Sequence, residues 1–130
     1  GHPAACAAAL ANIEILEREN LVDNSAQLGK YLSEQLQTLY EYPIVGDIRA
    51  GLGLLGAIEL VKDRDTKEKF PKDANLKERL TEAFLKRDLL VLQRGDLILL
   101  SPPLCITKDE MDLLIRNLNE VVADLAKALS

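Results

Sequence analysis

Residues 44–61 read Ile-Val-Gly-Asp-Ile-Arg-Ala-Gly-Leu-Gly-Leu-Leu-Gly-Ala-Ile-Glu-Leu-Val, and this stretch predicts the first strand pair of the fold. Its two apolar parts, residues 44–49 and 52–61, are typical of extended segments. Gly51 and Gly53 lie where the two parts meet, and paired glycines supply the positive φ or the bulge that a tight connection needs. We therefore expect two strands joined by a short turn.

Three charged residues, Asp47, Arg49 and Glu59, stand within this apolar region, and the last two need an interpretation. Residues 54–61 are apolar except for Glu59, which indicates a well-covered strand. Glu59 either faces solvent on an open face of the sheet or is buried and paired with an arginine, and the sequence leaves both readings open. Arg49 precedes the glycine turn, and for it we expect a structural role rather than a place in a binding site.

A second strand pair is predicted towards the C-terminus. Residues 89–93 and 97–101 are apolar segments separated by Arg94-Gly95-Asp96, which has the composition of a turn. The double proline at 102–103 ends the second of these segments. The pattern predicts a hairpin with Arg94 at its tip.

An alanine-rich helix is predicted at the start, over residues 3–19. Proline suits the first helical turn, where its missing N–H is not needed, and Pro3 is followed by alanines at positions 4, 5, 7, 8, 9 and 11. A helix that is small and apolar all round is expected inside a larger protein, with neighbours on several sides. We therefore interpret the chain as the C-terminal piece of something longer.

The second helix is predicted to begin at an N-cap supplied by Asp23, Asn24 or Ser25. Its leucines recur at helical spacing at positions 28, 32, 36 and 39. Pro43 disfavours helical backbone in the residue before it, so the helix should stop around Tyr42.

Two more helices complete the predicted order. The third spans residues 73–87. The last opens at a capping box, in which Thr107 and Glu110 satisfy each other's backbone N–H groups. The third helix should bury a stripe of Leu76, Leu80, Ala83 and Phe84.

The predicted order ααββαββα gives the fold class. Four short strands with tight turns inside each pair favour a small, mainly antiparallel sheet, and the longer helices must cover one of its faces. We expect a two-layer α+β domain preceded by the long alanine-rich helix.

Composition excludes several functions. The chain has 130 residues and a formal net charge of −5, with no basic stripe, so we expect no nucleic-acid partner. No apolar run is long enough to span a membrane. Cys6 and Cys105 lie in apolar surroundings, which predicts buried free thiols in a reducing compartment and a cytoplasmic location. With a single histidine, His2, a metal site is not expected.

Few side chains are candidates for chemistry. A lysine must be buried to act as a nucleophile, and every lysine here falls at a polar helix position, at a helix start or in the charged segment 62–72. His2, next to the chain start, is not expected to be catalytic. Arg94 is the most interesting charge, because a guanidinium at a hairpin tip can clamp a carboxylate with two hydrogen bonds. The alternative is an ordinary exposed turn arginine.

Three passages together resemble one family, the class III aminotransferases. Residues 1–14, Gly-His-Pro-Ala-Ala-Cys-Ala-Ala-Ala-Leu-Ala-Asn-Ile-Glu, resemble the start of their long helix. Residues 47–56, Asp-Ile-Arg-Ala-Gly-Leu-Gly-Leu-Leu-Gly, resemble their "R-G-x-G-L" hairpin. Residues 100–107, Leu-Ser-Pro-Pro-Leu-Cys-Ile-Thr, resemble the segment before their last helix. The order and spacing agree across nearly the whole chain and correspond to the C-terminal region of these enzymes.

This resemblance implies an activity for the longer protein. The family consists of fold type I transaminases, typically homodimers, that use pyridoxal 5'-phosphate to move an amino group between an amine or amino acid and a keto acid. Their Schiff-base lysine, their phosphate-binding residues and the residue stacking on the cofactor lie upstream. The resemblance therefore implies that this chain has no catalytic or cofactor-binding residue of its own and is inactive alone. Residues 1–20 would be the helix leaving the absent large domain, and residues 21–130 the small C-terminal domain.

The same resemblance implies that the small domain recognises the substrate. ω-type members carry an arginine shortly before the strand that leads into the double proline, and Arg94 is the nearest match, although family arginines lie slightly further upstream. Members acting on γ-aminobutyrate place theirs in the strand at residues 97–100, which has none here. The alternative hypothesis is a stand-alone α+β interaction or regulatory module.

Overall fold

The computed structural model describes residues 1–129 and confirms the predicted two-layer α+β architecture. Short 3₁₀ turns at Gln37–Glu41 and Lys72–Ala74 link the main elements. In chain order, the elements are α1 (Pro3–Arg18), α2 (Leu21–Leu36), β1 (Val45–Gly51), β2 (Gly53–Leu60), α3 (Leu76–Leu85), β3 (Leu92–Arg94), β4 (Leu97–Leu100) and α4 (Lys108–Leu129).

The four strands form one antiparallel sheet in the order β1-β2-β4-β3. Helix α2 lies against β1 and β2, whereas α3 packs on α4 and β3. The sheet turns one row of side chains towards this helical layer, and the fully buried members include Ile58, Leu60 and Ile98. They meet leucines and valines of α2 and α4 in one aliphatic core. The opposite face of the sheet has no helix over it within the described chain.

The start of α2 differs from the prediction. The helix begins at Leu21, and its N-cap is Asn20 in the left-handed region at φ 49°, a conformation that asparagine tolerates better than most residues. Asp23, Asn24 and Ser25, predicted as N-caps, therefore lie inside the first turns. The Asn24 amide instead donates to the carbonyl oxygens of Leu104 (2.7 Å) and Ile106 (3.1 Å), across 80 residues of chain. Helical periodicity shows which residues share a helix face, but it does not reveal that one residue between α1 and α2, Asn20, adopts the left-handed conformation.

Several boundaries also shift. α2 ends at Leu36 and continues as a 3₁₀ turn to Glu41, so helical backbone does stop before Pro43 as predicted. α3 is shorter than residues 73–87, because Asn75 adopts φ 49° in front of it. β3 covers Leu92–Arg94 rather than 89–93, which makes Arg94 the last residue of the strand. The turn itself is left to Gly95, at φ 61°, and the residue after it.

The capping box of the last helix is confirmed. The Glu110 carboxylate accepts from both the backbone N–H and the hydroxyl of Thr107, at 2.8 Å each. The Thr107 hydroxyl oxygen accepts in turn from the Glu110 backbone N–H at 3.3 Å. These hydrogen bonds from Thr107 lower the pKa of Glu110, because they favour its charged form.

The alanine-rich helix has no buried residue. Its larger apolar side chains, including Leu10 and Ile13, are exposed, apart from Leu16, which is half-buried. Cys6 on this helix and Cys105 before α4 are both exposed, so the prediction of buried thiols is wrong. Apolar neighbours in sequence do not bury a side chain unless another element covers it.

One close backbone approach fixes the β1–β2 hairpin on α2. A Cβ built on Gly29 of α2 would lie 2.0 Å from the carbonyl oxygen of Gly53. Gly53 itself has φ 56°, in the left-handed region that glycine adopts without steric cost. Only glycine at position 29 therefore lets the turn between the first two strands rest on the helix.

We expect Gly29→Ala to destabilise the chain by about 2–3 kcal/mol, because the added methyl group meets backbone that cannot move aside. Urea unfolding followed by circular dichroism measures the change. Gly56→Ala in β2 is the matched control, since its new methyl would find its nearest neighbours at 3.5 Å. We expect that control to change stability by less than about 1 kcal/mol. Equal effects of the two substitutions would contradict the packing described for Gly29.

Candidate functional site

The outer face is the side of the sheet that the helices leave uncovered. Side chains alternate between the two faces along a strand, and the strand register decides which residues share this one. Arg94 pairs with Leu97, and Leu97 pairs with Glu59. Two residues along each strand, Leu92 pairs with Leu99, and Leu99 with Ala57. The outer face therefore carries Asp47, Arg49, Leu55, Ala57, Glu59, Leu92, Arg94, Leu97 and Leu99.

An apolar cleft of about 540 Å³ lies on the outer face. Leu52 and Leu55, from the β1–β2 hairpin, form one side, and Leu92 and Leu99 form the other. Leu52, Leu55 and Leu92 are 81%, 59% and 65% exposed, which is unusual for leucines that lie together on one surface.

An ion-pair cluster stands at one edge of this cleft. The Arg49 guanidinium contacts the Asp47 carboxylate at 2.8 Å and the Glu59 carboxylate at 3.1 Å. Tyr40 contributes its hydroxyl, which donates to Asp47 at 3.3 Å and accepts from the Ile48 backbone N–H at 3.0 Å. The structure thus answers the question left open for Glu59, which is on the open face and is also paired with an arginine. Arg49 has the structural role expected of it.

Arg94 lies on the opposite edge strand of the same face. It is exposed, and within residues 1–129 no carboxylate lies close enough to form an ion pair with it. Arg49 already has two carboxylate partners, so Arg94 is the outer-face arginine with a guanidinium available to a ligand. The structure does not bring it into the cleft, however, because its side chain is not part of the lining.

Leu92 is the residue of β3 that lines the cleft, and sequence reasoning missed it. The signal was present in the alternation of the strand, since positions 92 and 94 share a face. The predicted strand over residues 89–93 contains Leu92 but leaves Arg94 in the turn, so the prediction does not place the two residues on one strand face. The outer face of β3 therefore presents two side chains of interest: Leu92, which lines the cleft, and Arg94, which lies outside it.

None of the lysines is placed to bind an aldehyde cofactor. All of them are exposed, and no buried polar or charged residue occurs within the described range. A reactive lysine needs a lowered pKa, so that its amine is free. Here the pKa of Lys62 is raised by its hydrogen bond with Glu68, and that of Lys108 by its hydrogen bond with Asp112. The residues of this chain do not by themselves fit pyridoxal phosphate.

Residues 1–129 were searched for clusters of metal ligands and for membrane-spanning helices. No group of three or more histidine, cysteine, aspartate or glutamate side chains is close enough to hold a metal ion. Among these residues, no helix has the length and the apolar character that crossing a bilayer requires.

The family model described as Aminotransferase class-III matches residues 1–122. The chain belongs to the class III aminotransferase family. Its relatives include an uncharacterized aminotransferase of Bacillus subtilis, 42% identical over 92% of this chain and 28% of the relative. The diaminobutyrate--2-oxoglutarate transaminase of Halomonas elongata is 34% identical over the full chain and 28% of that protein.

Solved structures agree with this assignment. A thermostable (S)-enantioselective omega-transaminase from Thermomicrobium roseum superimposes with a TM-score of 0.91 at 41% identity. The match covers 96% of this chain and 28% of that one. The class III chain therefore spans a little over a quarter of the length of the relatives it matches, and its fold is that of the corresponding transaminase region.

The contacts of Asp112, on α4, predict how the stability of the fold depends on pH. Asp112 accepts from the Tyr31 hydroxyl at 2.6 Å and from the Lys108 ammonium group at 2.7 Å. The hydrogen bond from Lys108 first, and that from Tyr31 second, lower the pKa of Asp112. A carboxyl whose folded pKa is lowered stabilises the fold above its unfolded pKa of about 3.9, and this contribution is lost as the pH falls through the folded pKa.

We therefore expect the Asp112→Asn variant to unfold at a lower urea concentration than the unmodified chain at pH 7. Between about pH 5 and pH 2, the free energy of unfolding of the variant should fall by less than that of the unmodified chain. Urea midpoints measured across this range test it. Asp109→Asn, in the first turn of the same helix, removes an equal charge without removing an ion pair found within residues 1–129. Parallel pH profiles for the two variants would contradict the role assigned to Asp112.

Proposed function

We propose that this chain is the small C-terminal domain of a pyridoxal-phosphate-dependent transaminase that moves an amino group between an amine or amino acid and a keto acid. The observation that carries the proposal is the family match over residues 1–122, together with a TM-score of 0.91 to an omega-transaminase. Relatives whose names state a reaction, such as the diaminobutyrate--2-oxoglutarate transaminase, support amino-group transfer as the reaction class. The longer protein is proposed to be a cytoplasmic homodimer.

The cofactor chemistry belongs to the part of the protein outside this chain. Pyridoxal phosphate supplies an electron sink for the substrate carbanion when it is bound. The chain offers it no buried lysine, so the reactive lysine must come from elsewhere. Residues 1–20 would then be the helix leaving the large domain and residues 21–130 the small domain, and this piece would have no activity alone.

Substrate recognition is the contribution that we propose for this domain. The Arg94 guanidinium has no internal partner within residues 1–129 and projects from the edge of the outer face. A planar guanidinium can bind a carboxylate through two parallel hydrogen bonds, which gives both affinity and orientation. Leu92 beside it would favour an apolar group, so a substrate lying along β3 would meet one apolar and one cationic position.

The isolated chain should not take up the cofactor specifically. After incubation with pyridoxal phosphate and borohydride reduction, we expect modification spread over several exposed lysines, because none has the burial that a lowered pKa requires. Peptide mass spectrometry measures where the adduct lies. Stoichiometric modification of one lysine would contradict the placement of the catalytic lysine outside this chain.

Arg94→Ala in the full-length enzyme should reduce kcat/KM for carboxylate-bearing substrates by about 10- to 100-fold, the value of a charge-assisted hydrogen bond of about 1.5–3 kcal/mol. Activity on plain amines should change little, and Arg94→Lys should restore part of the loss. Arg79→Ala on α3 is the control, since it removes an exposed arginine from the helical layer. Equal losses on both substrate classes, or no loss, would contradict a carboxylate clamp at Arg94.

A further inference from the structure

The hairpin between β3 and β4 brings opposite charges close together in sequence. Arg94 and Asp96 stand on either side of Gly95, two residues apart. Elsewhere on the outer face the same spacing gives an ion pair, because Asp47 and Arg49 contact each other at 2.8 Å. An ion pair between Arg94 and Asp96 would occupy the guanidinium that we propose as a carboxylate clamp. These two charges must therefore stay apart if Arg94 is to bind a substrate.

The Asp96 carboxylate has a different cation as its partner. It contacts the Lys69 ammonium group at 3.3 Å, and the Asp96 side chain is only 19% exposed. The main chain also holds the turn in place, since the Leu60 backbone N–H at the end of β2 donates to the Asp96 carbonyl oxygen at 2.8 Å. Lys69 belongs to the charged segment 62–72, which follows β2 in the chain and carries this cation to the turn.

Removal of Lys69 would leave the Asp96 carboxylate in need of another cation. A carboxylate that is mostly removed from water is costly unless a positive charge lies beside it. Arg94 is the cation nearest to Asp96 in sequence, and within residues 1–129 it has no ion pair of its own. The Lys69 side chain is itself 68% exposed, so its substitution should not prevent folding. The change would therefore act on the partner of Asp96 rather than on the fold.

We propose that Lys69 is a positioning residue that holds the Asp96 carboxylate away from Arg94, and so keeps the Arg94 guanidinium free for the carboxylate of a substrate. The inference rests on the substrate role proposed above for Arg94 and gives a reason why that role is possible. Lys69 itself does not contact the substrate. Without it, Asp96 competes with the ligand, and the apparent affinity falls with the fraction of molecules in which Arg94 is already paired.

Calorimetric titration of the full-length holoenzyme with butanoate, which carries a carboxylate but no amino group, tests this assignment without turnover. We expect Lys69→Met to bind butanoate about three- to fivefold more weakly than the unmodified protein, the range that an exposed ion pair contributes. The double variant Lys69→Met/Asp96→Asn should bind it as tightly as the unmodified protein, because the competing carboxylate is gone. Lys62→Met is the matched control, since it removes another lysine of the same segment, paired with Glu68 at 2.6 Å, and should leave the affinity unchanged.

Arg94→Ala, titrated in parallel, separates this inference from the substrate role on which it rests. Weaker binding by Arg94→Ala together with unchanged binding by Lys69→Met would overturn the inference and leave the carboxylate clamp standing. If Asp96→Asn does not restore the affinity of Lys69→Met, Lys69 acts on the fold or on the ligand directly, and the inference is overturned as well. Unchanged binding by Arg94→Ala would overturn the clamp and the inference together.

Discussion

A small antiparallel sheet with helices on only one face is the constraint on which the rest of this structure depends. Burial of Ile58, Leu60 and Ile98 against the helical layer stabilises the domain through the hydrophobic effect. The same arrangement places the alternate side chains of every strand on the other face, where no helix within residues 1–129 packs against them. Because side chains alternate between the two faces of a strand, the same strand register determines both the core residues and the outer-face residues. A shift of register would change both sets together.

Specific polar contacts then fix how the helices lie on this sheet. Arg87, two residues after the end of α3, contacts the carboxylates of Glu120 at 3.1 Å and Asp124 at 2.7 Å on α4. Arg64, in the charged segment 62–72, donates hydrogen bonds to the carbonyl oxygens of Val45 (2.9 Å) and Tyr42 (2.7 Å). These side chains satisfy backbone or carboxylate groups far away in sequence, so their effect is to choose one packing rather than to supply most of the stability.

The chemistry of the outer face follows from which charges are already paired. Arg49 and Arg94 look alike in sequence, since each flanks a glycine-containing turn. In the fold, Arg49 is held by two carboxylates, whereas Arg94 stands alone at the far edge strand within residues 1–129. A ligand carboxylate would have to displace an existing ion pair at the first position and only water at the second. This difference is the physical basis for our proposal that Arg94 recognises the substrate.

The sequence by itself determined the order of the elements, the antiparallel character of the sheet, the capping box at Thr107 and the family. These features are written in short-range patterns: helical and strand periodicity, glycine pairs, prolines and a four-residue cap. Only the tertiary structure decided the exposure of Cys6 and Cys105, the bond from Asn24 to the loop before α4, and the place of Leu92 over the cleft. Each of these depends on which distant segment lies against the residue, and local pattern does not carry that information.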